Sequence, residues 1–252
     1  DALAQNPDNA LIALTLERVA RANRATDDTL RALRARVATT EDPALQASLS
    51  LDLAVMLEAD GQIDAALEAL SGAEQAGTAR FRLLQMMERI ASRHDRPAWV
   101  VRALEGQAQL AAAAGAGADG DEAGDTAVQS VARFEDQVRA NEEAAALALE
   151  AARVRTTQLD DSAGALASIG HAMRLAPDDM LLRYEHLLGS ERTGDLEGAA
   201  EDARQLLSRG VTGPLAGSLW FRVAEAARSR NDDEGQRSAL EQALAADPSA
   251  VV

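Results

Sequence analysis

The sequence contains no cysteine and no lysine, and each absence excludes a class of chemistry. Without cysteine there is no disulfide, no thiolate metal site and no cysteine nucleophile. Without lysine there is no Schiff-base chemistry and no phosphate-loop lysine. Aromatic residues make up only 2% of the chain, whereas alanine is the most frequent residue. Because alanine and leucine favour helices while β-branched and aromatic residues favour strands, the composition predicts an all-α protein.

Positive charge is also scarce, since 25 arginines are outnumbered by 41 acidic residues and the net charge is −16. This charge repels phosphate backbones and anionic lipid surfaces, so we expect no nucleic-acid partner and no membrane insertion. No stretch of the sequence approaches the ~18 consecutive apolar residues of a membrane span. The sequence is compatible with either the cytoplasm or the periplasm as the compartment of this protein.

Prolines mark one kind of helix break and recur at nearly regular spacing. Pro177, Pro214 and Pro248 are separated by 37 and 34 residues. Because proline interrupts a helix and disfavours helical conformation in the residue before it, each proline is expected to separate two helices. About midway between them lie tight-turn signals with Gly194 and Asn231, residue types that end a helix in the left-handed conformation. The predicted unit is therefore helix, tight turn, helix and proline-marked loop.

A trio of apolar residues with offsets of four and three follows the tight turns. These offsets place the members of each trio on one face of a helix. The pattern resembles the tetratricopeptide repeat (TPR) family, whose unit is a helix–turn–helix of about 34 residues. The trios are Ala66, Leu70 and Ala73, then Ala165, Ile169 and Ala172, then Ala199, Ala203 and Leu206.

The resemblance to the TPR family is clearest over residues 44–77 and 146–250. It implies a right-handed α-solenoid of about six TPR-like repeats, in which each hairpin covers the apolar face of its neighbour. Eight residues match the family pattern in their order and spacing, namely Trp220, Val223, Ala224, Ala227, Asn231, Leu240, Ala243 and Pro248.

An acidic, glycine-rich segment interrupts the pattern at residues 115–125. We predict a flexible loop there, between N-terminal hairpins at 1–114 and C-terminal hairpins at 126–252, all within one continuous solenoid. Helical spacing resumes after the loop, and 126–158 is either one long helix or a kinked pair. The acidic residues of the loop lack the spacing of an EF-hand, so we expect no metal there.

The three histidines, His94, His171 and His186, are isolated in the sequence. None of them has a second ligand at a helical spacing that would complete a metal site. The sequence also has no nucleophile-elbow motif and no glycine-rich phosphate loop. We therefore expect no enzyme activity, no catalytic residue, no bound metal and no cofactor.

The resemblance implies a protein-binding function. In TPR proteins the first helices of the repeats line a concave face that binds a peptide or a partner helix. Apolar and aromatic residues flanked by charges suit such a partner. Carried over by position, this face would include Leu51, Val55, Glu58, Leu181, Tyr184, Leu188, Arg192, Phe221, Glu225 and Arg228. The alternative for Tyr184, Leu188 and Phe221 is that they only pack against the neighbouring hairpin.

Two functional hypotheses follow from the sequence. The first is a non-catalytic interaction scaffold that binds a partner peptide, helix or protein. The second is a structural spacer or assembly component of a large multiprotein complex. Because the sequence begins with Asp1 and shows no polar capping helix after its last loop, we also expect further repeats of a longer chain, or a larger complex, beyond it.

Overall fold

The structure, a computed structural model, describes residues 2–6, 9–116 and 127–247. Within these ranges it contains helices and no strand, which confirms the all-α prediction. None of the described helices is both long enough and apolar enough to span a membrane. The helices are α1 (Ala2–Gln5), α2 (Ala10–Ala22), α3 (Thr26–Thr39), α4 (Pro43–Ala59), α5 (Ile63–Gln75), α6 (Arg80–Arg93), α7 (Pro97–Ala116), α8 (Ala127–Gln158), α9 (Ser162–Leu175), α10 (Met180–Thr193), α11 (Leu196–Ser208), α12 (Gly213–Ser229) and α13 (Asp233–Ala246).

The chain divides into two compact units, Asp1–Gln107 (unit 1) and Ala108–Val252 (unit 2). Consecutive helices pair as hairpins, for example α4 with α5 in unit 1 and α12 with α13 in unit 2. The second helix of a hairpin also packs against the first helix of the next one, as α5 does against α6 and α11 against α12. Neighbouring hairpins within a unit therefore cover one another's apolar faces, which is the predicted mode of stabilisation.

The tight turns adopt the predicted backbone conformation. Gly61, Gly194 and Asn231 have φ values of 78°, 80° and 58°, which lie in the left-handed region. Glycine adopts this region without steric cost, and asparagine does so more readily than other residues with a side chain. Pro43 and Pro214 lie in the first turns of α4 and α12, where the missing amide proton has no helical partner to lose. Pro7 and Pro248 lie outside the described residues.

The predicted apolar trios are buried in both units. All members of the three trios on α5, α9 and α11 are at most 6% exposed. On the facing helix α12, Val223, Ala224 and Ala227 are buried and Trp220 is half-buried. In unit 2, residues of α11 and α12 join a single apolar cluster that includes Ala203, Leu206 and Leu219. The helical spacing in the sequence thus identified the buried faces.

The predicted division of the chain at residues 114 and 115 needs a correction. Gly115 and Ala116 are helical and form the end of α7, so the loop does not begin at 115. Gly115 lies close to α8, because a Cβ at this glycine would be 3.2 Å from the Cβ of Ala140. The rest of the predicted loop, residues 117–125, lies outside the described residues. The region from Ala127 to Gln158 is one helix, and the single continuous solenoid stays a prediction.

Candidate protein-binding surface

An ion pair joins the first helices of two successive hairpins in each unit. In unit 2, Arg222 Nε on α12 lies 2.7 Å from Glu191 Oε1 on α10. In unit 1, Arg89 Nη2 on α6 donates to Glu58 Oε2 on α4 at 2.8 Å. Each arginine follows its glutamate by 31 residues, and each glutamate precedes the turn glycine by three. The two glutamates share a repeat position. The arginines do not, because Arg89 precedes the left-handed residue Asp95 by six residues and Arg222 precedes Asn231 by nine.

Seven of the predicted partner-binding residues lie on α10 and α12, and we call them the α10–α12 surface. Two large apolar members of this set are exposed, because Leu181 is 53% and Phe221 is 51% accessible to solvent. Half-exposed side chains of this size are candidates for burial against a partner. The surface comprises Leu181, Tyr184, Leu188, Arg192, Phe221, Glu225 and Arg228.

Tyr184 and Leu188 have a structural role within unit 2. Both side chains are partly buried and pack against the apolar cluster that contains Leu187, Ala203 and Leu219. Packing against the neighbouring helices was the alternative that the sequence left open for them. Neither side chain is fully buried, so part of each is accessible to solvent.

The charged members of the α10–α12 surface carry both signs. Arg228 Nη2 lies 3.6 Å from Glu225 Oε1, one helical turn away, and Arg192 is exposed. An exposed ion pair of this kind contributes at most about 1 kcal/mol in water, because solvent screens both charges. These groups can therefore exchange their present contacts for contacts with a partner at low cost.

The three predicted residues on α4, in unit 1, differ in their surroundings. Leu51 is half-buried and Val55 is exposed. The Glu58 side chain is only 10% exposed and contacts three cationic or ionisable side chains, two on α6 and one at the residue that caps its C-terminus. Besides Arg89, these are Arg93 Nη1 at 2.9 Å and His94 Nε2 at 3.2 Å. The Glu58 carboxylate therefore holds α4 to α6 and has little surface left for a partner.

A buried charge cluster in unit 2 was missed by the sequence analysis. Asp202 on α11 is 5% exposed and accepts a hydrogen bond from Arg183 Nη1 at 3.3 Å. His186 Nδ1 lies 2.6 Å from the other oxygen of the same carboxylate. The cluster ties the two helices of one hairpin together. Its signal in the sequence was a histidine and an acid on the consecutive helices of one predicted hairpin.

Two carboxyl groups of unit 2 have a lowered pKa, and neither lies on α10 or α12. The pKa of Asp161 is lowered by the backbone N–H of Gly164 and by Arg155. The pKa of Glu201 is lowered by the side chains of Gln205 and Arg204. Both shifts favour the charged carboxylate.

The described ranges contain no group of three or more histidine, aspartate or glutamate side chains placed to hold a metal ion. The acidic residues predicted for the loop, Asp119, Asp121, Glu122 and Asp125, lie outside the described residues. No arrangement in the described ranges points to a cofactor or to a reaction.

No protein-family model matches this chain, and no curated protein matches it. Solved structures do align with it over most of its length, and several of them are described as TPR proteins. YrrB, described as a TPR protein with an unusual peptide-binding site, is 14% identical, with 81% of this chain and 88% of that chain covered at a TM-score of 0.38. The C-terminal part of a TPR repeat-containing protein from Cytophaga hutchinsonii is 12% identical, with 96% and 97% covered at a TM-score of 0.36. BtubC from P. vanneervenii is 13% identical, with 97% and 91% covered at a TM-score of 0.37.

Because these TM-scores are below 0.5, the fold is assigned from the helices of this chain alone. Helical hairpins, left-handed turn residues and buried trios recur in both units at the spacing of the repeat. The fold is TPR-like. The α10–α12 surface thus lies on the first helices of two consecutive TPR-like hairpins.

Proposed function

We propose that this TPR-like chain is a non-catalytic interaction scaffold whose α10–α12 surface binds a peptide, a helix or a protein. The observation that carries the proposal is the exposure of Leu181 and Phe221 on two first helices joined by the Glu191–Arg222 pair. Full burial of a leucine or phenylalanine side chain against a partner stabilises a complex by about 1.5–3 kcal/mol. Association itself costs free energy, so the other contacts of the surface and a matching partner shape must add to these two anchors.

The charges around these anchors favour a partner that carries both signs. The charged members of the surface, Arg192 on α10 and the Glu225–Arg228 pair on α12, are two cations and one anion. Complementary charges on a partner would increase its association rate and fix its register, while contributing less to the affinity than the apolar anchors. The partner class we propose is an amphipathic helix or an extended peptide with two apolar anchors and flanking charges of both signs.

For the predicted residues on α4, in unit 1, we propose a second and separate contact with a partner. Val55 is exposed and Leu51 is half-buried, so both can touch a bound segment. For Glu58 we propose an indirect role, because its carboxylate already binds Arg89, Arg93 and His94. It would orient these side chains of α6 and would not contact the partner itself.

The proposal is tested by affinity capture from the source organism with matched variants of the whole chain. The test variant carries Leu181→Asp and Phe221→Asp, which place charges at the two apolar anchors. The control variant carries Leu244→Asp on the second helix α13, where the leucine is similarly exposed. Capture is quantified by mass spectrometry for the wild type and for both variants, after thermal unfolding has shown that all three are folded.

We expect at least one protein that the wild type and Leu244→Asp capture equally and that the double variant loses. A partner retained by the double variant would refute the α10–α12 surface as the binding site. Failure of all three forms to capture any protein above background would refute the scaffold function itself.

A further inference from the structure

Helix α6 carries three exposed arginines along one of its faces. Arg82 precedes Arg89 by seven residues, and Arg93 follows Arg89 by four, so the three share one side of the helix. The buried residues of α6, among them Met87 and Ile90, occupy a different side. At a rise of 1.5 Å per residue, the row of arginines is about 16 Å long. We call Arg82, Arg89 and Arg93 the α6 arginine stripe.

The α6 arginine stripe has an excess of positive charge. Among the described residues, the carboxylate of Glu58 on α4 is the one acidic group within ion-pair distance of it. Glu58 lies 2.8 Å from Arg89 Nη2 and 2.9 Å from Arg93 Nη1. Arg82 has no ion pair and no hydrogen bond with any described residue. Three guanidinium groups therefore share one carboxylate, which leaves two positive charges without a counter-charge.

The other acids of α4 and α6 have contacts away from the stripe. On α6 the one acid is Glu88, which lies on another side of the helix and accepts a hydrogen bond from Gln107 at 2.6 Å. The remaining acid of α4, Asp52, lies 3.8 Å from Arg21 on α2. Neither carboxylate pairs with an arginine of the stripe, so the local excess of positive charge remains.

Hydrogen-bond donors also remain on the paired arginines. A guanidinium has five N–H donors. Arg89 donates from Nη2 to Glu58 and to Met86 Sδ, and Arg93 donates from Nη1 to Glu58. The Nε and the second Nη of each arginine have no partner among the described residues. Because Arg89 and Arg93 are one helical turn apart and repel each other, a further carboxylate between them would be favourable.

Accessible apolar side chains lie beside the stripe. Leu51 and Val55 precede Glu58 by seven and three residues, so the three share one side of α4. Since Glu58 contacts the arginines, this side of α4 is turned towards α6. Val55 is 44% exposed, and Leu51 is half-buried, as is Met86 on α6. The surface therefore offers a bound segment both cations and apolar contacts.

The sign of this surface is opposite to that of the whole chain, whose net charge is −16. At physiological ionic strength the Debye length is about 8 Å, so the nearest groups determine the potential that a bound segment meets. At the stripe these groups are mostly guanidiniums. Carboxylates of a partner are therefore attracted here and repelled by the rest of an acidic chain, a contrast that fixes where an acidic segment binds.

We propose that the α6 arginine stripe binds an acidic segment of a partner protein. Aspartate or glutamate side chains of the segment pair with the arginines, while its apolar side chains contact Leu51 and Val55. An extended chain advances about 3.3 Å per residue, so about five residues cover the stripe. The proposal deepens the contact proposed above for α4 and rests on that part of the proposed function. It does not depend on the α10–α12 surface.

The probe is a fluorescently labelled peptide, Glu-Glu-Leu-Glu-Glu-Leu-Glu-Glu, with both termini blocked so that binding must use side-chain carboxylates. The control peptide has glutamine in place of every glutamate. Binding to the whole chain is measured by anisotropy. We expect saturable binding of the acidic peptide with Kd below about 1 mM and none of the glutamine peptide. Because the attraction is between exposed charges, the affinity should fall roughly threefold or more at high salt.

Arg82→Glu is the decisive variant, because Arg82 holds no other described residue in place. It should weaken binding of the acidic peptide by roughly fivefold or more, since it replaces an attraction with a repulsion. Arg237→Glu on α13, where the arginine side chain is 83% exposed, changes the net charge equally and should leave binding unchanged. The double variant Leu181→Asp, Phe221→Asp also changes the net charge equally and should likewise bind as the wild type does.

Four outcomes would overturn the proposal. They are absence of binding to the wild type, equal binding of the glutamine peptide, equal binding to the wild type and Arg82→Glu, and equal losses with Arg82→Glu and Arg237→Glu. Loss of binding only with Leu181→Asp, Phe221→Asp would place the acidic segment on the α10–α12 surface instead. A wild-type dimer in sedimentation that Arg82→Glu dissociates would assign the stripe to a second copy of this chain.

Val55→Asp separates this proposal from the contact proposed for α4. It adds a carboxylate beside the stripe, so weaker binding of the acidic peptide would support both. Unchanged binding to Val55→Asp, together with the loss caused by Arg82→Glu, would refute the α4 contact and still support the stripe. If thermal unfolding shows that Arg82→Glu does not fold, Arg82→Gln takes its place, with a smaller expected loss because it only removes the positive charge.

Discussion

Units 1 and 2 build similar hairpins from different side chains. Among the described residues, large apolar side chains that are essentially inaccessible to solvent are mostly in unit 1. Those in unit 1 are Leu30, Leu33, Leu57, Leu67, Leu70, Leu83, Leu84, Met87 and Ile90. Those in unit 2 are Leu182, Leu187 and Leu219. Alanines such as Ala203 and Ala226 occupy much of the remaining interior of unit 2. An alanine contributes far less transfer free energy than a leucine, so unit 2 gains less stability from each buried position.

At the turns within the hairpins, unit 2 has the larger number of stabilising side-chain contacts. In three turns of unit 2 an aspartate follows the left-handed residue and caps the next helix through the backbone N–H of a glycine three residues on. The hydrogen bonds run from Gly164 to Asp161 at 2.8 Å, from Gly198 to Asp195 at 2.9 Å and from Gly235 to Asp232 at 2.9 Å. In unit 1, Ala25 and Gln62 occupy the capping positions of α3 and α5 without a side-chain cap.

The comparison shows two ways of stabilising one hairpin geometry. Unit 1 depends on large buried side chains, whose contributions are lost when the packing is disturbed. Unit 2 depends more on local hydrogen bonds at its turns, each of which contributes about 1 kcal/mol. Substitutions that exchange these features between equivalent positions should therefore have effects of different size and sign.

The largest effect is expected for Leu70→Ala in unit 1. Leu70 is fully buried nine residues after the turn residue Gly61. Its truncation leaves a cavity and should lower the free energy of unfolding by about 2–5 kcal/mol, as measured by urea titration. The control, Leu45→Ala at an exposed position of α4, should change it by less than about 1 kcal/mol. Equal losses for the two variants would contradict the burial argument.

The reciprocal exchange in unit 2 is Ala203→Leu, at the position nine residues after Gly194. Ala203 is fully buried in the cluster between α11 and α12, so there is no room for a larger side chain. We expect a loss of about 1–3 kcal/mol from overpacking, again from urea titration. Ala146→Leu, at an exposed position of α8, should change stability by less than about 0.5 kcal/mol. A stabilised Ala203→Leu variant would indicate that unit 2 contains unfilled space.

A smaller effect is expected when each of two helical glycines of unit 2 is replaced with alanine, and the two replacements should differ. Gly170 has open space where a Cβ would be, so Gly170→Ala should raise stability by about 0.5–1 kcal/mol through helix propensity. A Cβ at Gly198 would collide with the capping carboxylate of Asp195. Gly198→Ala should therefore lose the cap and show no such gain.

A double-mutant cycle isolates the cap at Gly198. With Asp195→Ala already present the collision is removed, and we expect Gly198→Ala to become stabilising. The measurement is the midpoint of thermal unfolding of all four proteins in the cycle. If Gly198→Ala stabilises the wild type as much as Gly170→Ala does, the glycine is not required by the cap.

The smallest effect concerns the pH dependence of the Asp161 cap. Its pKa is lowered first by the Gly164 N–H and then by Arg155, so the folded state favours the carboxylate. A lowered pKa means that the stabilisation is fully present above the unfolded-state pKa of about 3.9 and is lost as the pH falls through the folded-state pKa. A Cβ at Gly164 would collide with the Asp161 carboxylate and displace it from this N–H. Carboxyl NMR should therefore show a lower pKa for Asp161 in the wild type than in Gly164→Ala. The same pKa in both proteins would contradict the assigned cause.

Local features of this fold were predictable from the sequence because they depend on residues close together in the chain. Helix periodicity identified the buried trios, such as Ala66, Leu70 and Ala73, and turn chemistry identified Gly194 and Asn231. The end of the helix before the acidic segment was predicted two residues too early. Residue 115 was assigned to the flexible loop, whereas Gly115 is a helical residue at a close approach to α8.

Contacts between hairpins were not predictable to the same extent. The pairs Glu191–Arg222 and Glu58–Arg89 each join residues 31 positions apart. To predict such a pair, one must know the register between two successive hairpins to within one residue. Neither Glu191 nor Arg222 was singled out, and Glu58 was expected to contact a partner. The degree of burial of Tyr184 and Leu188 likewise depends on α11 and α12, which periodicity within α10 does not describe.

The central functional claim, that the α10–α12 surface contacts a protein partner, is tested most directly by site-specific photocrosslinking in the source organism. Benzoylphenylalanine is incorporated in place of Phe221 on α12 or, as a control, in place of the similarly exposed Leu244 on α13. The scaffold account predicts a discrete crosslinked adduct of this chain with another polypeptide at position 221 and none at 244. No adduct at 221, or adducts of equal yield at both positions, would contradict it.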